Sequence, residues 1–259
     1  MLHAVDFRPA RGTISPVPAQ PQLKVELAND PSLIEQAQRL RWRVFVGEMG
    51  ARLRTPLAGV DRDLFDPYCE HLVVRDVVHD QVVGTYRILA PQAAARLGAF
   101  YSDSEFDLVR LKHLRSRLVE VGRSCIHPDY RGNPAVISLL WSGLAAYMRE
   151  RRHDYLIGCA SLGLADGGYS AAAVYAGLAH HLAPLEYRVY PRHRLPLERL
   201  GTQAPASPPP LVKGYLRAGA WVCGEPAWDR DFQTADLFML LPMARLAPRY
   251  ARHFLERAQ

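Results

Sequence analysis

The stretch Leu118-Val-Glu-Val-Gly-Arg-Ser-Cys-Ile126, followed by His127-Pro-Asp-Tyr-Arg-Gly-Asn-Pro134, decides how this chain is read. The first segment is rich in apolar and β-favouring residues and reads as a strand. Residues two apart in a strand share a face, which places Glu120 and Gly122 on one side and Arg123 on the other. The second segment is a basic, glycine-containing loop, and the run from about Ala135 to Arg152 has the length and pattern of a helix. A strand, such a loop and a helix N-terminus form an anion-binding geometry, because the first helical N–H groups are unpaired and carry partial positive charge. Arg131 adds a full charge and a forked donor. Arg131, Gly132 and Asn133 are therefore candidate phosphate ligands. An ordinary strand-to-helix turn has the same sequence pattern.

Working outward, Leu23–Leu27 alternates as a strand, and Asp30-Pro31 opens a helix that continues through Phe45 to Gly47 or Gly50. His71–Val78 and Gln81–Ala90 read as strands joined at His79-Asp80, and Pro91–Asp107 as partly helical. Beyond the central helix come a strand (Tyr155–Leu162), a helix near Tyr169–His181 and a strand (Glu186–Tyr190). A loop (Gly201–Pro210), a short helix (Leu211–Ala218) and strands at Ala220–Cys223 and Asp236–Leu241 follow, then a basic helix over Ala244–Arg257. This order predicts an α/β or α+β layered fold with a mixed central sheet. It predicts one domain over residues 23–259, after a disordered leader at residues 1–22.

Composition narrows the class. Of 259 residues, 49% are hydrophobic and 22% charged, which excludes collagen, a disulfide miniprotein and a mostly disordered chain. The longest apolar stretch, Ala135–Met148, falls short of the ~20 residues a bilayer requires. Cys69, Cys125, Cys159 and Cys223 lie far apart with no Cys-x-x-Cys pair, so no zinc site is expected and the thiols read as free in a reducing compartment. The first residues lack the apolar core of a secretion signal, so a cytoplasmic location is expected.

The formal net charge is +6, compatible with nucleic acid, an anionic membrane surface or an acidic protein. No nucleic-acid-binding signature accompanies it, and nucleic acid is not an expected partner. At the C-terminus Leu246, Tyr250 and Phe254 are interleaved with Arg245, Arg249, Arg252 and Arg257. That pattern suits peripheral attachment to an anionic surface such as the inner membrane, or a grip on an acidic protein.

Three charged segments call for partners. Arg41 and Arg43 precede Phe45 on the first helix, and Arg87 interrupts an apolar strand, Val82-Val-Gly-Thr-Tyr-Arg-Ile-Leu-Ala90. An arginine there needs a carboxylate, and Asp63, Asp66 and Glu120 are available. Asp61-Arg-Asp-Leu-Phe-Asp66 fails as a calcium loop, since Asp66 stands at the sixth position and Leu72 at the twelfth. No metal is therefore expected. Gly158-Cys-Ala-Ser-Leu-Gly163 misses the hydrolase nucleophile elbow by one residue.

In series, Arg41-Trp-Arg-Val-Phe45, Asp63-Leu-Phe-Asp66, Gly84-Thr-Tyr-Arg87 and Glu120-Val-Gly-Arg123 resemble the acyl-homoserine-lactone synthases and their relatives among the GNAT-like N-acyltransferases. Gly158–Leu162, His180–Arg192, Pro209–Leu241 and Arg249–Phe254 narrow this to the L-ornithine N-alpha-acyltransferases of ornithine-lipid synthesis, a group also called hemolysin-like. The resemblance spans about Leu23 to Phe254. Two departures stand out. Ala51 occupies the place of a synthase tryptophan, and Arg131-Gly-Asn-Pro-Ala135 is shorter in glycine than the loop of the acetyl-CoA enzymes.

The resemblance implies the GNAT fold. It implies transfer of a fatty acyl group, usually 3-hydroxyacyl, from acyl carrier protein to the α-amine of L-ornithine. The donor arm would be the carrier protein's phosphopantetheine, with no cofactor bound to the chain itself. It places Arg41, Asp63, Asp66, Arg87, Glu120 and Arg123 at the charged site, with Glu120 the candidate base. Backbone N–H groups of Cys125 and Ile126, where the strand should splay, would face the thioester oxygen. The alternatives are an acyl-homoserine-lactone-type or other N-acyl amino acid synthase, and a non-catalytic peripheral membrane-binding protein.

Overall fold

The computed structural model describes residues 21–53, 55–201 and 204–247. Strand β1 (Leu23–Leu27) leads to helix α1 (Pro31–Trp42), whose N-cap Asp30 accepts a hydrogen bond from the Ser32 N–H at 2.9 Å. The chain continues as a wider π-helical turn over Arg43–Glu48. Strands β2 (Glu70–Asp76) and β3 (Gln81–Leu89) form a hairpin, followed by α2 (Pro91–Leu97) and a short β4 (Phe106–Asp107). Then come β5 (Leu118–Ile126), α3 (Pro134–Glu150), β6 (Tyr155–Gly163) and α4 (Tyr169–Ala176). The remaining elements are β7 (Tyr190–Pro191), α5 (Pro210–Ala218), β8 (Trp221–Val222), β9 (Ala227–Asp229) and β10 (Thr234–Pro242).

One sheet in the order β1-β2-β3-β5-β6-β10-β8, with β9 beside β10, spans the molecule. The pair β5–β6 is parallel and the other pairs of this sheet are antiparallel among the described residues. This is the mixed α/β sheet expected from the sequence.

Helix α3 covers one face. Its residues Val136, Leu140, Leu144 and Met148, at helical spacing, are all buried, at about 1.5–3 kcal/mol of transfer free energy each. The backbone comes close enough that a Cβ on Gly84 of β3 would lie 2.8 Å from Val136 Cγ1, so a larger residue there would lift the helix off. Phe106, Leu118, Ile157, Phe238 and Leu240 form a second core on the opposite face, and α1 packs with Val73 and Val82 in a third.

Two expectations are corrected. Over Glu186–Tyr190 the chain forms a 3₁₀ turn at Leu185–Tyr187, opened by Pro184, and only Tyr190–Pro191 pairs, with β4. At the C-terminus, Met243–Arg245 is a single 3₁₀ turn rather than the start of a helix. The rest of that expected helix, from residue 248, lies outside the described residues, as do residues 1–20 of the expected leader. No helix among the described residues is long and apolar enough to cross a membrane. All four cysteines are free thiols.

Candidate active site

The site begins where two strands part. β5 and β6 pair only over Leu118–Glu120 with Tyr155–Ile157. Beyond Glu120 they separate, and a cavity of about 280 Å³ opens between them. Val121, Gly122, Arg123, Ser124, Cys125 and Ile126 line one wall, with Cys159 and Ser161 across from them. On its other edge β5 stays bound to β3, with Cys125 opposite Thr85 and Ile126 opposite Gly84. The His127 N–H donates to the Val83 carbonyl at 2.8 Å. Hydrogen-bonded pairs alternate along an antiparallel ladder, so the Cys125 N–H points at β3 while the Ile126 and Ser124 N–H groups face the gap. Of the two amides expected to meet the thioester, Ile126 therefore faces the gap and Cys125 faces β3.

A β-bulge changes the expected strand faces. Thr85 pairs with Cys125 but Arg87 with Gly122, so Arg123 and Ser124 together oppose Tyr86. Arg123 takes φ +51°, a left-handed conformation uncommon outside glycine. Strict alternation had turned Arg123 away from Glu120. The bulge swings it back into the Asp61–Asp63 loop, where Nε lies 3.1 Å from Asp61 Oδ2 and Nη2 lies 3.2 Å from Asp63 Oδ2. The guanidinium also sits 4.4 Å from the Phe232 ring centroid and 5.0 Å from that of Tyr101.

The other arginines complete a lattice. Arg41, fully buried on α1, reaches Asp61 at 2.9 Å and Asp66 at 2.8 Å. Arg87 reaches Asp63 at 2.7 Å and Asp66 at 3.1 Å, so its carboxylate partners are these two and not Glu120. Burial works against the Asp66 carboxylate, but the Arg41 and Arg87 charges outweigh it and hold its pKa well below the usual range. Neighbouring His71 is pushed down to about 4 by burial and by Arg41, and is therefore neutral at pH 7. Three guanidinium groups and three carboxylates cancel, so the lattice is a charge-balanced tie holding the Asp61–Cys69 loop to α1 and the sheet.

Glu120 lies in the cavity wall, buried. One oxygen accepts the Tyr101 N–H at 2.6 Å; the other accepts the Ser102 N–H at 2.8 Å and the Ser102 hydroxyl. Burial raises its pKa against the pull of these donors. Glu120 thus both anchors the Tyr101–Ser104 turn and presents a carboxylate with raised proton affinity to the cavity.

The phosphate-loop residues divide. Arg131 lines the cavity, but Glu48 holds its guanidinium at 2.7 Å. Gly132 and Asn133 are not in the cavity wall, and Asn133 Oδ1 caps α3 by accepting the Ala135 N–H at 3.0 Å. His127 caps the turn before them, its Nδ1 accepting from the Asp129 N–H at 3.4 Å.

Sequence reasoning missed the far wall. Cys159, Ser161, Asp229 and Asp236 line the cavity there, and the Glu105, Cys159 and Asp236 ligand atoms lie within 4.8 Å of one another. Asp236 carried a signal of the kind seen in Arg87, a charge inside an apolar strand.

A strand pair that splays beside a buried carboxylate, with free amides on its inner edge, defines a GNAT-type N-acyltransferase. A model of the acetyltransferase (GNAT) domain matches residues 40–142. The fold is similar to an N-acyl amino acid synthase from uncultured soil microbes (TM-score 0.54, 14% identity, 86% of this chain and 92% of that one). It is also similar to an acyl-homoserine-lactone synthase (TM-score 0.53, 11% identity, 92% and 96%). In sequence the chain is 40% identical over 252 residues to an L-ornithine N(alpha)-acyltransferase of Brucella abortus, covering 90% of this chain and 88% of that protein. It is 38% identical to one of Rhodobacter capsulatus, covering 91% and 96%. The chain belongs to the L-ornithine N(alpha)-acyltransferase family and is an acyltransferase.

Proposed function

We propose that this protein moves a fatty acyl group, in particular a 3-hydroxyacyl group, from the phosphopantetheine thioester of acyl carrier protein to the α-amine of L-ornithine, giving lyso-ornithine lipid. The observation that carries this reading is the opening between β5 and β6 directly beyond Glu120, in a chain of this family. The pantetheine arm lies along the free inner edge of β5. The Ile126 and Ser124 N–H groups face the thioester oxygen, where charge develops as the amine attacks. The attacking amine must first lose its ammonium proton, since amines titrate near or above neutral pH. Glu120 takes that proton, directly or through one water. The tetrahedral intermediate then collapses with cleavage of the C–S bond, and the amine's second proton goes to the departing thiolate. The products are the amide, the free pantetheine thiol and one proton.

No acyl-enzyme is required. The thiol bordering the donor path supports this, because burial pushes Cys125 up to about 12 and leaves it protonated. Arg131 at the cavity mouth suits the single phosphodiester of the donor arm once that group displaces Glu48. The basic C-terminal sequence suits salt-reversible attachment at the inner face of the membrane, where the product must go.

Lipid extracts from a host expressing the chain test this reading. A new lyso-ornithine lipid by mass spectrometry supports it. A homoserine lactone, or no new acylated species, overturns it.

A further inference from the structure

The two sides of the cavity are electrostatically unequal. On the Asp61–Asp66 side every carboxylate meets a guanidinium. On the far side Asp229 and Asp236 line the wall, with Glu105 outside it but within 4.8 Å of Asp236, and none of the three forms an ion pair among the described residues. Asp236 is 4% exposed, lines the cavity, and its Oδ1 has no hydrogen-bond partner; both Glu105 carboxylate oxygens are buried and equally unpartnered. Asp229 is partly satisfied, its Oδ1 accepting the Asp231 and Phe232 N–H groups at 2.8 and 3.0 Å.

Two buried carboxylates so close cannot both be ionised without a cation between them. Empty, the pair holds a proton: burial and the neighbouring acids push Asp236 up to about 6 and Glu105 well above the carboxylate range. Filled, it exchanges that proton for a positively charged donor.

The sheet aims this pair along the acceptor side. Register pairs Glu120 with Ile157 across β5–β6, and Ser161 with Asp236 across β6–β10. Paired residues share a face, so Glu120, Cys159, Ser161 and Asp236 project from the same side of the sheet. Ser102 links the two ends: its hydroxyl donates to Glu120 and lies 3.4 Å from Cys159 Sγ.

We infer that Glu105 and Asp236 form a specificity pocket for the side-chain ammonium of the acceptor amino acid, leaving its α-amine beside Glu120. The inference rests on the reading that the acceptor is a dibasic amino acid of the ornithine kind. It supplies the selection that a base and a splay cannot, because any amino acid offers an α-amine. An ammonium suits the pair better than a metal ion does. Its donors reach several oxygens at once, whereas a metal would need the Cys159 thiolate, and burial raises that thiol's pKa well above normal.

The test is the purified, chelator-treated protein with acyl carrier protein thioester, comparing L-ornithine with L-norvaline, which lacks the side-chain amine. Wild type is expected to favour ornithine by about 10²-fold or more in kcat/KM, since norvaline supplies no donor and the pair keeps its shared proton instead of binding an ammonium. In Asp236→Asn and Glu105→Gln the ornithine KM is expected to rise at least about tenfold. The ornithine-to-norvaline ratio of kcat/KM should fall at least about tenfold in both variants, and circular dichroism and thermal melting report separately that they are folded. Equal wild-type use of norvaline overturns the pocket, as does an ornithine preference that survives both variants or that appears only on adding a divalent cation. If wild type acylates lysophosphatidic or other non-amine acceptors and neither amino acid, the ornithine reading itself falls, and the pocket with it.

Discussion

Gly158 lies against the carbonyl of Val121 so closely that a Cβ at Gly158 would stand 2.4 Å from the oxygen. This contact sits one residue past the last β5–β6 pair, at the point where the cavity opens. Gly158→Ala must push the strands apart at the opening proposed for the donor arm. The expected outcome is a loss of about 1–3 kcal/mol in stability, as for other overpacked sites, and a drop in kcat/KM larger than the population of unfolded protein explains. Urea unfolding and a thiol-release assay on the same preparation check both parts.

Glu120→Gln is expected to lower kcat by about 10²–10⁴ through loss of the proton acceptor. It should also destabilise the fold, because one Gln amide edge is a donor and would face the Tyr101 and Ser102 donors. Glu120→Asp keeps a base but draws it back, so it should retain more activity than Gln at equal folded fraction. Near-normal turnover in folded Glu120→Gln would remove this residue from proton transfer.

The lattice makes stability depend on pH through His71. Its folded pKa of about 4 lies below the unfolded value near 6.5, so between these values the unfolded chain binds a proton that the folded chain does not. His71 therefore supports the fold fully above pH ~6.5, and that support is lost as pH falls towards 4. Urea midpoints from pH 8 to 4.5 should decline less steeply for His71→Gln than for wild type. Identical slopes would contradict the buried, neutral imidazole.

Arg131 and Glu48 give a pair of opposite predictions. The Arg131–Glu48 contact is 2.7 Å but partly exposed, so the pair itself contributes little. Arg131→Ala should raise the KM for acyl carrier protein at low salt, with the effect shrinking as salt screens it. Glu48→Gln should lower the same KM by freeing the guanidinium for phosphate. Steady-state kinetics at two ionic strengths decides the matter; equal KM values for wild type and both variants would remove the loop from donor binding.

Much of this was legible in the chain. Asp30-Pro31 marked the first helix because cap chemistry is local, and the charges of Arg41, Asp63, Asp66 and Arg87 signalled mutual need because a buried charge without a partner is costly. Arg123 was placed on the wrong face because a bulge depends on how β5 meets β3, which spacing within β5 does not encode. Gly132 and Asn133 looked like phosphate ligands, yet Asn133 serves as a local helix cap. Glu105 sits in Ser102-Asp-Ser-Glu-Phe-Asp107, within the stretch expected to be partly helical, where no spacing marks a buried carboxylate. Only the pairing of β6 with β10 brings Asp236 to it, across more than a hundred residues of chain.

The central claim is direct acyl transfer to the ornithine α-amine at the β5–β6 opening. The most direct measurement is mass spectrometry, with fragmentation, of the product formed by purified protein from 3-hydroxyacyl carrier protein and L-ornithine. The account predicts a single amide on the α-nitrogen, one free thiol released per amide, and no acylated protein at any time. A covalent acyl-protein that chases into product, or acylation of the side-chain nitrogen, would contradict it.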